Sequence, residues 1–208
     1  MDMERYIVGI GDALWDCLPE GRKLGGAPAN FAYYMMLFGF DSLAVSAIGN
    51  DELGAEIKET FDKVGLKYML QVTDYPTGTV TVDIDERGIP SYDIKENVAY
   101  DYMSYTPQLE EVAKKCNVAC FGSMTQRNPV SRKTIRSFLE AMPQTAETYK
   151  VFDINLRQNF YDKEIISEDL TLITCIGYEA RHSLSNENVN VKTENGFKSD
   201  IFEHEQYL

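Results

Sequence analysis

The sequence predicts an α/β fold: a doubly wound, mostly parallel sheet in three layers, with a small β-hairpin set into it. Three observations carry that prediction. Short β-branched runs alternate with helical patterns of ten or more residues, and parallel strands need crossovers of that length. One segment, residues 79 to 85, alternates apolar and polar residues at period two, as a strand with one wet face does. The length, 208 residues, suits one sizeable core and is too short for two ordinary domains.

Taken in order, "YIVGI" at residues 6 to 10 is a short apolar strand, followed by a turn and then by "KLGGAPANFAYYMMLFGF", residues 23 to 40, as the first helix. "SLAVSAIG" is the second strand. In "NDELGAEIKETFDKVG" the residues Leu53, Ile57, Phe61 and Val64 recur at helical spacing, with Asp51 to cap the helix and Gly65 to end it. Next, Val80, Val82 and Ile84 alternate with Thr79, Thr81, Asp83 and Asp85, and "ERG" supplies a turn before a second extended run. An antiparallel insertion of this kind is most simply a flap at the sheet edge. Pro107 after Thr106 and Pro129 after Asn128 each fit the first turn of a helix behind its cap, over 107 to 115 and 129 to 142. Strands "NVACFG" (117 to 122) and "YKVFDIN" (149 to 155) follow them. Beyond about Leu170 the chain is crowded with Asn, Glu, Lys and Ser, and the alternation stops.

Composition removes several function classes. Twenty basic against 33 acidic residues give a formal charge of −13, which argues against nucleic acid and anionic membrane as partners, because both are bound through clustered Lys and Arg. A small anionic ligand stays open, since backbone N–H groups at a helix start hold phosphate without basic side chains. The N-terminus has no basic region leading into an apolar run, and no window approaches a membrane span; the expectation is a cytoplasmic protein. Cys17, Cys116, Cys120 and Cys175 form no C-x-x-C pair, so they read as free thiols rather than as a zinc site or disulfide framework. The two histidines, His182 and His204, both sit in the polar tail.

The chemistry concentrates near the N-terminus. "GIGDAL" begins like a dinucleotide fingerprint, but Leu14 stands where its third glycine belongs. Asp16, at the end of the first strand-turn unit, with Gly25, Gly26 and Asn30 forms a set suited to a polyhydroxylated ligand. A carboxylate and a carboxamide exchange several hydrogen bonds, and paired glycines open the backbone N–H groups to a ligand. A plainer alternative is that the glycines make a tight turn and Asn30 caps the helix.

The run "GGAPANFAYYMMLFG" through "SLAVSAIGNDELG", with "GDALWDCLP", "SYDIKENVAYDYM", "FGSMTQR" and "FDINLRQNFYD", resembles the ribokinase-like carbohydrate kinases, the PfkB family, and fructokinases more than nucleoside kinases. The likeness covers residues 6 to about 162. It implies that Asp16, Gly25, Gly26 and Asn30 bind sugar hydroxyls and that the hairpin, about residues 77 to 95, is a lid over the sugar. It also implies that Arg157 faces the substrate or the transferred phosphoryl group, where a guanidinium suits an oxygen-rich ligand, although a surface arginine at a strand end is as simple a reading. Asp153 and Asn155, alternate residues of one strand end, would support the site or serve as caps.

By the same resemblance the reaction is transfer of the ATP γ-phosphoryl group to a sugar hydroxyl, with magnesium, and lid hairpins pairing between subunits would make a homodimer. Fructose is the sugar expected; relatives also handle other ketoses, sugar acids and nucleosides. The family's catalytic carboxylate lies in a G-A-G-D motif, and this sequence has none; nor does it have the N-x-x-E segment. Asp12 and Asp51 lie in neither motif, so no catalytic residue is assigned. The expectation is the N-terminal part of a sugar kinase over residues 1–169, with a polar tail at 170–208 that does not match the family. This fits a truncated or altered chain that lacks the catalytic and nucleotide-binding part of the fold. The competing readings are a non-catalytic sugar-binding module or inactive fragment, and a generic doubly wound domain.

Overall fold

The computed structural model describes residues 5–84, 90–155, 157, 158, 160, 163–170 and 172–177. The "ERG" turn, both histidines and residues 178–208 lie outside the described residues.

A parallel six-stranded sheet forms the body. Its strands are β1 (Tyr6–Ile10), β4 (Ser42–Gly49), β5 (Lys67–Thr73), β8 (Cys116–Gly122), β9 (Tyr149–Asp153) and β10 (Cys175–Gly177), in the spatial order β10-β9-β8-β1-β4-β5. Every neighbouring pair runs parallel. Burial on both faces explains the apolar character of the central strands: all eight positions of β4 are buried. Its Leu43, Val45 and Ala47 enter one core with Val8, Ile10, Phe121 and Phe152, while Ala44 and Ile48 enter a second on the opposite face.

Helices α1 (Ala27–Leu37) and α2 (Glu52–Val64) cover the second core through Ala29, Ala32, Ile57 and Phe61. Helices α3 (Pro107–Lys114) and α4 (Pro129–Ala141) cover the first through Leu109, Ala113, Ile135, Phe138 and Leu139. Three of the four start on the side chains their sequences offer. Asp51 accepts from the Gly54 N–H, Thr106 from Leu109 and Asn128 from Val130, each satisfying a donor that the first helical turn leaves free. Gly65 ends α2 in the left-handed conformation.

A second sheet stands apart from the first. The expected hairpin is present as β6 (Gly78–Ile84) and β7 (Pro90–Ile94). Beside it lies another hairpin, β2 (Leu14–Leu18) and β3 (Gly21–Gly25), which the sequence reading did not anticipate. Parallel pairing of β2 with β6 joins them in the order β3-β2-β6-β7. The expected passage from the first strand through a turn into the first helix is thereby corrected. Residues 14 to 25 show no clean alternation, and Asp16, Glu20, Arg22 and Lys23 break up the apolar run that would have announced the strands.

Strand β5 was also missed, being a half-exposed edge strand without a long apolar stretch. Helix α5 (Lys163–Leu170) lies within the expected limit of the pattern, and past it β10 adds a strand to the main sheet, with Cys175 opposite Val151.

Candidate functional site

Only Gly11, Asp12 and Ala13 separate β1 from β2, so the small sheet rises directly from the carboxyl end of the main one. In open parallel sheets that end is where ligands bind. On the inner face of the small sheet, Leu14, Val80, Val82 and Ile94 pack with Val98, Tyr100 and Met124. Met124 belongs to the 3₁₀ turn Met124–Arg127 that follows β8, and Tyr100 to the 3₁₀ turn Ala99–Tyr102 that follows β7.

Asp16 lies two residues from Leu14 on this inner face and is half-buried. This corrects its expected place at the end of the first strand-turn unit: it sits in the middle of β2, paired with Lys23 and Val80. Gly25, opposite Leu14, is where its carboxylate rests. A Cβ on Gly25 would stand 2.4 Å from Asp16 Oδ2 and 3.1 Å from Leu14 Cδ1. Gly26 follows with φ 112°, and a Cβ there would stand 2.3 Å from the Asp12 carbonyl oxygen. Gly26 is required both sterically and conformationally, while a Cβ on Gly25 would push the Asp16 carboxylate from its place.

Helix α1 begins at this point without a side-chain cap, since Gly26 holds the cap position. Asn30 is therefore not the cap. It is an exposed residue of the first turn, its N–H donating to the Gly26 carbonyl at 2.9 Å. Asp12 partly replaces the cap from below. Its buried carboxylate accepts hydrogen bonds from the Ala27 N–H and, at 2.9 Å, from the Thr125 hydroxyl. Burial raises its pKa above the usual carboxylate range, with those two bonds opposing the rise. Gly9 and Gly11, the remnant of a dinucleotide fingerprint, serve the same junction: a Cβ on either would collide with Pro28 at the start of α1.

The opposite wall is the loop after β9. The strand ends at Asp153, because Asn155 takes φ 34°, so the expected alternation through Asn155 does not hold. The Asn155 Oδ1 is buried without a hydrogen-bond partner, while Asp153 is half-buried and its carbonyl accepts from the Ser123 N–H at 3.3 Å. Arg157 reaches the small sheet, its guanidinium 5.8 Å from the Tyr92 ring centroid, and the Gln158 carboxamide donates to the Tyr92 carbonyl. The structure thus brings Asp16, Gly25 and Gly26 together at the root of the small sheet. Arg157 stands against β7, and Asn30 one helical turn behind the glycines.

Sequence reasoning missed a buried set beneath them. Arg127 makes an ion pair with Asp101 at 2.8 Å and donates to the Tyr100 hydroxyl at 3.1 Å. Burial, before any charge, raises the Tyr100 pKa. The sequence holds them as an acidic residue inside the apolar and aromatic "VAYDYM" and a basic one closing the mostly polar "GSMTQR". Cys17, Cys116 and Cys120 are free thiols, and no group of three or more His, Cys, Asp or Glu side chains gathers to hold a metal among the described residues.

A protein-family model described as pfkB family carbohydrate kinase matches residues 20–194. The match passes position 170 and takes in α5 and β10. A fructokinase of Klebsiella pneumoniae is 31% identical over 159 residues, covering 73% of this chain and 51% of its own length. The chain spans about half the length of the curated fructokinases it matches. Among solved structures, fructokinase with bound ATP from Xylella fastidiosa gives a TM-score of 0.72 at 19% identity, covering 83% of this chain and 57% of that one. Fructokinase from Vibrio cholerae O395, in a form bound to fructose, ADP and calcium ion, gives 0.67 at 23% identity, covering 85% and 60%. These last two likenesses concern the fold.

Proposed function

Because the chain belongs to the pfkB family of carbohydrate kinases, we propose that the root of its small sheet binds a sugar, fructose by preference, as the acceptor of the ATP γ-phosphoryl group. The observation that supports this is the Asp16 carboxylate lying across the bare Gly25 backbone, 2.4 Å from where a Cβ would stand. A carboxylate accepts from sugar hydroxyls, and a chain without side chains lets them approach. In this reading Asn30 adds a carboxamide from α1, and Arg157 steadies the oxygen-rich end of the complex from the β9 loop. The small sheet is then the lid.

ATP would supply the phosphoryl group, with magnesium as its companion. Phosphoryl transfer is positioning plus charge stabilisation. The residues of this chain supply the positioning of the acceptor, and its sequence holds no G-A-G-D carboxylate to take the hydroxyl proton. A second reading is a sugar-binding module without turnover. A homodimer through the small sheet, whose outer strands are β3 and β7, belongs to the proposal too, and light scattering after size exclusion checks it.

Isothermal titration of the full chain with fructose tests the binding reading. Saturable heat is expected for the wild type and none for Asp16→Ala, with the two melting within a few degrees of each other. Equal binding by the variant overturns the assignment of Asp16. An ADP-release assay on the fructose-saturated chain with ATP and magnesium separates kinase from binding module.

A further inference from the structure

Arg127 is charged, yet its side chain is only 7% exposed, and that of its partner Asp101 only 2%. Nε and Nη2 form a fork onto the two Asp101 oxygens at 2.8 and 2.9 Å. Nη2 also donates to the Lys95 carbonyl at 2.6 Å, and the guanidinium lies 4.5 Å from the Phe160 ring centroid and 5.2 Å from that of Tyr100. These partners come from three separate places. Lys95 is the first residue past β7, Tyr100 and Asp101 form the turn beneath the small sheet, and Phe160 lies in the loop that bears Arg157. Arg127 itself ends the turn after β8.

A buried ion pair adds little net stability over apolar residues of the same volume, because desolvation offsets the attraction. Here the arrangement also leaves Nη1 buried with no hydrogen-bond partner. What the pair does fix is geometry: a planar fork locks onto a carboxylate in one orientation, which a lysine cannot reproduce.

We propose that Arg127 is a positioning residue that sets the small sheet, and with it Asp16, at a fixed height over the loop carrying Arg157. The proposal rests on the sugar-binding reading above for its consequence, and on the hub geometry for its mechanism. Breaking the fork frees the base of β7 while the parallel sheet, held by its own cores, stays intact.

The experiment uses the full chain with Arg127→Lys, and Asp101→Asn as a second variant should the first fail to fold. Two readouts are taken beside thermal melting. Hydrogen exchange of the β6 and β7 amides is expected to quicken about ten-fold or more while β1 and β4 amides keep their wild-type rates. The fructose Kd is expected to rise about ten-fold or more with melting nearly unchanged. Wild-type exchange in β6 and β7 overturns the hub, and faster exchange with an unaltered Kd overturns its role in positioning Asp16. If the wild type binds no fructose, the sugar reading falls and the exchange result alone decides whether Arg127 holds the sheet.

Discussion

Asp51 accepts three hydrogen bonds, from the Gly54 and Thr77 N–H groups at 2.8 Å each and from the Thr77 hydroxyl at 2.6 Å. Desolvation works against its charge, but these bonds outweigh it and hold the pKa below 3.8. A lowered carboxylate pKa stabilises the fold above the unfolded value and stops doing so as pH falls through the folded one. Asp51→Ala should therefore cost about 1 kcal/mol at pH 7, with a smaller gap from wild type at pH 3, measured by urea unfolding. Asp169 behaves oppositely. It is wholly buried, burial being the main cause that raises its pKa to about 6, and it accepts from Gln126 Nε2 at 2.5 Å. Its Oδ1 and the Gln126 Oε1 are both buried acceptors without a hydrogen bond. Its contribution is fullest below 3.8 and is lost as pH rises through about 6. Asp169→Asn supplies a donor at every pH, so its melting temperature relative to wild type should be higher at pH 8 than at pH 4.5. The Asp51 cap was legible in the sequence because its target lies three residues on. The Arg127–Asp101 and Gln126–Asp169 pairs were not, because their partners stand 26 and 43 positions apart.

Among the elements, α2, α3 and α4 announced themselves by a polar face and a capping residue. Helix α1 announced itself by an apolar run behind small residues, and the small residues at this junction allow close packing. A Cβ on Gly9 of β1 would stand 1.9 Å from the Pro28 carbonyl oxygen, a backbone atom that cannot move aside alone. Gly9→Ala should lower stability by about 3 kcal/mol, read from the urea midpoint, whereas a substitution at Gly39, with nothing within 4 Å of its Cβ position, meets no such contact. Hairpin β2–β3 stayed illegible because five-residue strands carrying Asp16, Arg22 and Lys23 resemble a polar loop until Trp15 and Leu24 are seen packing toward α1 and α2. The site was accordingly half legible: its glycines and Asp16 stood out as residue types, but not the sheet that turns Asp16 inward.

For the molecule as a whole, the doubly wound plan was readable because strand and helix alternate along most of the chain, a property no single residue can hide. One surface departs from the acidic, soluble character that the −13 charge suggests. Tyr34, Leu37, Phe38 and Phe40 project from the end of α1, Phe38 with 71% of its surface exposed. Exposed apolar side chains grouped along one stretch of chain favour association. Phe38→Glu should lessen any concentration-dependent self-association seen in sedimentation of the wild type, and unchanged profiles would show these side chains to be inert.

The parallel seam between β2 and β6 sets an order of assembly. Leu14 and Gly78 face each other across it, yet α1, β4, α2 and β5 all lie between them in the chain. Each hairpin is a local structure that forms quickly, but the seam joining them is non-local and closes only after the intervening span has folded. In pulse-labelled refolding, amides along this seam should gain protection after those within either hairpin. Asp16 would then meet Gly25 early, within its own hairpin, and the surface that covers them would arrive later.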